Sequence, residues 1–334
     1  MLIGFFRKSY FFQYILLVLL AGIMWAGSFI HPEVPVHETD SILMPAYSLL
    51  VSLLGSNALP SVILAFILLL VQAFLFNYIL IKAELVPKNT LIPAMVFIIL
   101  LSHSSSLLHL HPALIASLFL IIILYNIFGV YTEADAYTKI FNSGFLIAIA
   151  SFFYFPVFYF IFFIWLSFIV FRLYKWRDWL IPFTGLLTPY IFLFTYFLWS
   201  DQLILALDTY NSYYSSFAYY PLYNEFSIFE WAITSLIILF FLWSFLWLLK
   251  DVQEKAITIR KRYWTIFWLL LVTLVTYMGS GSLAKSHLAI IALPVSIFIT
   301  FGLSYVKRKF WFELLLGLLA LLIIINNLKG LFFQ

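Results

Sequence analysis

The stretch Leu59-Pro-Ser-Val-Ile-Leu-Ala-Phe-Ile-Leu-Leu-Leu-Val-Gln-Ala-Phe-Leu-Phe-Asn-Tyr-Ile-Leu-Ile81 runs for 23 residues without a charge. A hydrocarbon core of about 30 Å is crossed by about 20 apolar residues in an α-helix. Leu59–Ile81 therefore has the length of one membrane crossing, and Tyr10 to Ile30 and Phe310 to Ile325 repeat the pattern. The whole chain is 65% hydrophobic and only 10% charged, where soluble domains carry about a quarter charged residues. No soluble fold hides that much apolar surface. In lipid every backbone N–H and C=O must pair within the protein, which leaves helices or closed barrels. These runs lack the alternating polar period of barrel strands, so the fold class is all-α: a polytopic transmembrane helical bundle forming one integral membrane domain over residues 1–334.

The first run follows Arg7-Lys8 and has no small-residue cleavage site before His31, so it is expected to be a retained helix rather than a removed signal. Further spans are expected near Pro60 to Ile81, Thr90 to Leu108, Pro112 to Val130, Trp179 to Trp199, Ile228 to Leu249, Tyr263 to Met278, Ser286 to Tyr305 and Phe310 to Ile325. Ser41 to Leu54 is too short to cross and reads as an interfacial or re-entrant helix within an outer-face segment 31–57. Phe141 to Phe171 is too long for one upright helix, and Pro156 offers a hinge.

Basic residues cluster at Arg7-Lys8, Lys82 and Lys88, Arg172 to Arg177, Lys250 to Arg262 and Lys307 to Lys309. Cytoplasmic loops are enriched in Lys and Arg. All these clusters share one side if Phe141–Phe171 crosses twice, which gives eleven crossings with the N-terminus cytoplasmic. One tilted crossing there would give ten. With eleven, Lys285 and Lys329 are the only outer cations among eighteen basic residues. Cysteine is absent, which excludes disulfides and thiolate metal sites, and no basic stripe offers itself to nucleic acid.

That topology puts all six histidines at or near the outer surface, with Glu33, Glu38, Asp40, Asp201, Asp208 and Glu225 and an aromatic outer loop 200–228. Glu38 and Asp40 stand two apart, so an extended loop points them the same way, towards a shared proton or metal ion. His31 and His37 add nitrogen donors; a solvated acidic loop is the competing reading. His109-Leu-His111-Pro112 is either part of a polar site or a helix cap with proline at the first helical position. Ser102-His103-Ser-Ser-Ser106 faces protein or a water-filled cavity rather than lipid. Lys285 and His287 follow the glycine-containing stretch Gly279-Ser-Gly281. They suit either a lipid phosphate or ordinary snorkelling to headgroups.

The order of His37-Glu38-Thr39-Asp40, Pro45-Ala46-Tyr47, Asn142 to Pro156 and Lys285/His287 before Pro294 resembles the GT-C superfamily of membrane glycosyltransferases. The resemblance implies sugar transfer from a polyprenyl-phosphate-linked donor at the outer face of an inner membrane. In that role Asp40 or Glu38 would act as general base. Lys285, His287, His109, His111, His37 and Tyr47 would contact substrate. A divalent metal on Glu38 and Asp40 is compatible with this chemistry and not required by it. Leu85-Val-Pro-Lys-Asn89 and Trp176-Arg-Asp-Trp179 also resemble an uncharacterised family of Bacteroidota inner-membrane proteins, which implies a compartment and no activity. Two other classes stay open: a non-enzymatic subunit or scaffold of an envelope or secretion complex with protein partners, and a transporter, which needs ionisable groups near the midplane of broken helices.

Overall fold

The computed structural model describes residues 2–7, 10–32, 44–55, 57–131, 136–215, 226–278, 284–305 and 310–332. Among them every regular element is a helix. The main ones are α1 (Phe11–Met24), α2 (Pro45–Leu54), α3 (Ala58–Lys82), α4 (Ile92–Leu101), α5 (Pro112–Val130), α6 (Ala136–Ser151), α7 (Ile161–Phe171), α8 (Trp176–Trp199), α9 (Leu203–Ser215), α10 (Ile228–Asp251), α11 (Ile257–Tyr277), α12 (Ala284–Tyr305) and α13 (Phe310–Phe332). Six helices in the described residues are long and apolar enough to cross a membrane: α3, α5, α8, α10, α12 and α13.

Several helix ends follow from local chemistry. Asn57 and then Pro60 open α3, Pro93 sits in the first turn of α4, and Pro112 begins α5, where the missing proline N–H has no intrahelical partner to lose. Phe141–Phe171 divides as expected, because α6 stops at Ser151 and a 3-10 turn, Phe155–Phe160, holds Pro156 before α7 starts. Within Ser41–Leu54 the described residues form a ten-residue helix, α2, too short to cross a bilayer. The Tyr10–Ile30 run breaks at Trp25 into α1 and the short helix Ala26–Ile30.

The Thr90–Leu108 expectation does not hold as one helix. The helix ends at Leu101, and residues 102 to 111 run as turns with one 3-10 turn, Ser105–Leu107. The reason lies in Ser102 to Ser106: serine and histidine side chains bond local backbone and so compete with the helix. Here His103 Nδ1 lies 2.6 Å from the Leu100 carbonyl. The stretch is tolerated because it is buried in protein apart from Ser105 and the half-buried Ser106. Its first residues are held from outside: Trp25 Nε1 donates to Ser102 Oγ (3.1 Å), and Asn327 Nδ2 donates to the carbonyls of Met24 (3.1 Å) and Ser102 (3.0 Å).

α5 and α12 sit inside the bundle, while α8 and α10 show much of their surface outward. α8 packs on α6 through a reciprocal glycine seam. A Cβ at Gly144 would strike the Pro182 carbonyl and one at Gly185 the Phe141 carbonyl. Small residues allow that backbone approach, which is how lipid-embedded helices gain van der Waals contact.

Contacts gather described members of the basic clusters at one end of the bundle, while Lys8 and Lys307 to Lys309 lie outside the described residues. Arg7 Nη2 donates to the Leu303 carbonyl (3.1 Å), Arg262 Nη1 to Ala83 (2.7 Å), Tyr263 to Leu85 (3.0 Å) and Lys82 Nζ to Tyr125 (2.5 Å). Lys255 pairs with Asp251 at 2.9 Å, and Lys261 Nζ stands 4.0 Å from the Tyr131 ring.

Candidate functional site

At the other end, the irregular stretch 102–111 meets the start of α10. Ser227-x-x-Glu230 is a capping box: Ser227 Oγ accepts from the Glu230 N–H (3.2 Å) and Glu230 Oε2 accepts from the Ser227 N–H (2.9 Å). The second oxygen of this buried carboxyl group accepts from Ser104 Oγ, and Ser104 also meets Ser106 at 2.9 Å. Glu230 thus closes its own helix and clamps the irregular stretch.

His111 caps α5, its Nδ1 accepting from the Leu114 N–H at 3.1 Å, so the proton of the neutral ring belongs on Nε2. The His109 and His111 rings meet edge to face at 5.8 Å. Both are buried, and His109 Nδ1 and His111 Nε2 have no protein partner among the described residues. Burial lowers the His109 pKa to about 4, and burial together with neighbouring His109 holds His111 well below the ordinary imidazole value. Each ring is therefore neutral at pH 7, able to donate or accept one hydrogen bond rather than to bind an anion by charge. The expected helix-cap role is met by His111, while His109 keeps an unpartnered nitrogen.

A second cluster forms around the Phe152–Phe158 corner between α6 and α7. The Ala46 N–H donates to the Phe152 carbonyl (3.1 Å), and Met44 packs on Phe155. Tyr210 of α9 meets the Phe155 ring at 5.6 Å. Tyr47, fully buried, donates to the Leu110 carbonyl (2.9 Å), which ties α2 to the histidine stretch. Next to Phe155, the Tyr154 hydroxyl donates to His287 Nδ1 (2.8 Å), and His287 Nε2 donates to the Thr273 carbonyl (3.0 Å). Both ring nitrogens of His287 are thus committed to protein groups, and its side chain is fully buried. Lys285, two residues earlier, is half-buried with Nζ 5.8 Å from the Phe226 ring.

The expected carboxylates Glu38 and Asp40, with His37, lie outside the described residues. Among the described residues no three His, Asp or Glu side chains group closely enough to hold a metal ion. Sequence reasoning missed Glu230 and Asn327 as organisers. Glu230 carried a readable signal in the Ser-x-x-Glu box, and Asn327 in being an amide within an apolar helix.

The fold and its spans define an all-helical, multi-pass membrane protein. Within that class the chain belongs to DUF6427, a family of unknown function, whose model matches residues 41–331. No curated protein and no solved structure matched the chain.

Proposed function

We propose that the chain is a GT-C-like glycosyltransferase that moves a sugar from a polyprenyl-phosphate-linked donor to an acceptor at the outer face of an inner membrane, with the basic end cytoplasmic and eleven crossings. The observation that supports it most is the convergence at the Phe152–Phe158 corner. The chain leaving the acidic first loop (Met44), the aromatic outer helix (Tyr210) and, through Tyr154, the start of α12 meet there. Asp40 itself lies outside the described residues, four positions before Met44 in the sequence. An acceptor base and a donor phosphate must face one reacting carbon, and the Lys285–His287 segment is sequence-distant from that loop.

In this reading Asp40 or Glu38 takes the proton of the acceptor hydroxyl as its oxygen attacks the anomeric carbon. The carbon–oxygen bond to phosphate breaks, and the polyprenyl phosphate keeps the electron pair and departs near Lys285. His287 positions Tyr154 and so the corner itself, and the free nitrogen of His109 suits a sugar hydroxyl. The test is complementation of a deletion strain with Asp40→Asn and Glu38→Gln, reading polyprenyl-linked sugars in lipid extracts by mass spectrometry. General-base catalysis contributes about 10² to 10⁴ in rate, so the correct variant should leave donor accumulated as in the deletion. An unchanged donor pool in the deletion strain itself overturns the reading.

The scaffold reading is favoured by one fact: Glu230 and His287 spend their polar atoms on intramolecular bonds. Full complementation by both carboxylate variants would select it.

A further inference from the structure

At the basic end, α7 and α11 flank a cavity of about 320 Å³ lined by Val170, Arg172, Ile257, Arg260, Lys261, Trp264 and Trp268. On α11 the residues Ile257, Arg260, Lys261, Trp264 and Trp268 recur at helical spacing and so form one stripe. A rise of about 1.5 Å per residue sets Trp264 about 6 Å and Trp268 about 12 Å further along the helix than Arg260. The stripe therefore passes from cations near the helix start to indoles about one and two turns beyond Arg260. Arg172 faces it from the end of α7, in the left-handed region at φ 63°, closing that helix where glycine is the usual residue.

Four other cations of this end have partners among the described residues. Arg7 and Arg262 hold carbonyls, Lys82 holds a tyrosine hydroxyl and Lys255 holds Asp251. Among the described residues Arg172, Arg260 and Lys261 have no carboxylate partner, and Lys261 stands over the Tyr131 ring. Three clustered positive charges with no ion-pair partner among the described residues, above two tryptophans and beside an apolar helix face, match an anionic group that carries its own hydrocarbon.

We propose that this cavity binds one anionic phospholipid, its phosphodiester held by Arg172, Arg260 and Lys261 and its glycerol and upper acyl chain laid along Trp264, Trp268 and Val170. Guanidinium pairs with phosphate through two parallel N–H donors, basic pockets between membrane helices take lipid headgroups, and indole rings favour the depth just below the headgroups. Charge complementarity selects an anionic lipid over a zwitterionic one.

The test uses the full-length chain in detergent micelles doped with phosphatidylglycerol or phosphatidylcholine brominated on the acyl chains, with tryptophan quenching as the readout. Brominated phosphatidylglycerol should quench at a lower mole fraction than the choline lipid, by at least about fivefold, and the Trp264→Phe/Trp268→Phe variant should lose that difference. Arg172→Gln/Arg260→Gln/Lys261→Gln should weaken phosphatidylglycerol binding at least about tenfold. Arg177→Gln, on the same end but outside the cavity, should leave it unchanged. Should the triple variant fail to fold, raising salt from about 0.05 to 0.5 M on the unmodified chain should weaken quenching by the anionic lipid alone. Equal quenching by both lipids overturns the proposal. Displacement of phosphatidylglycerol by about 10 mM inorganic phosphate overturns it too, since the site would then read free phosphate.

Discussion

At the basic end, Arg7 and Arg262 reach between helices to the carbonyls of Leu303 and Ala83, while at the opposite end the described bridges run through Ser104 and Glu230, Tyr154 and His287, and Asn327 with Met24 and Ser102. The two sets do the same work with different groups. Long cationic stems can lie along apolar helix surface and keep their heads at headgroup depth. The opposite end instead contains an irregular stretch buried in protein, where shorter polar side chains, the Glu230 carboxyl among them, satisfy groups that water does not reach. A sequence can thus mark one end of a bundle by charge and the other by broken helices.

The largest effect expected bears on the ends themselves. With the basic end cytoplasmic, an impermeant thiol reagent on intact cells should label Ser215→Cys and spare Lys255→Cys in this cysteine-free chain. The reverse pattern inverts the comparison.

Acid should damage the opposite end selectively. His109 is held at about 4 by burial, below its unfolded value near 6.5. Between those values the unfolded chain binds more protons, so stability falls as pH drops from about 6.5 to 4, by at most about 3 kcal/mol, and levels off below. Thermal melting in detergent against pH should show this slope, and His109→Phe should make it shallower, with buried His111 supplying part of what stays.

Glu230→Ala removes the acceptor of both the Ser227 N–H and the Ser104 hydroxyl. The loss of a cap and of a buried acceptor should cost about 2 kcal/mol. A melting temperature equal to that of the unmodified chain would show that the clamp is dispensable. The smallest effect is expected at the basic end, where Arg262 is half-buried and water can replace part of its bond to Ala83. Arg262→Gln should cost about 1 kcal/mol in the same measurement.

The helical class, the short helix before Gly55 and the break around Pro156 were legible because each rests on local chemistry: apolar length, turn residues and a proline. α11 starts at Ile257, six residues before the apolar run from Tyr263, because Arg260, Lys261 and Arg262, charged as a loop is, are good helix formers whose stems suit a helix end. The break after Leu101 was half legible. Its serines and histidines announced a polar interior, but the partners that stabilise a non-helical course, Trp25, Glu230 and Asn327, lie 77, 126 and 225 residues from their bonding partners. Pairings at such separation leave no periodic trace. The same holds for the site, where Lys285 and His287 were read as a pair, yet His287 turns inward to Tyr154 and Thr273.

The clasp of Asn327 on Ser102 also carries a timetable. At about 5 to 20 residues per second of synthesis, the 225 residues between them take roughly 10 to 45 s to emerge from the ribosome. For that interval the backbone of residues 102 to 111 lacks its last-made amide donor, and for the first part of it, until α10 emerges, the Glu230 clamp as well. Lipid offers such groups no partner, so nascent chains halted before α13 should be held by the insertion machinery and be cleaved at this stretch by membrane proteases far faster than the finished protein.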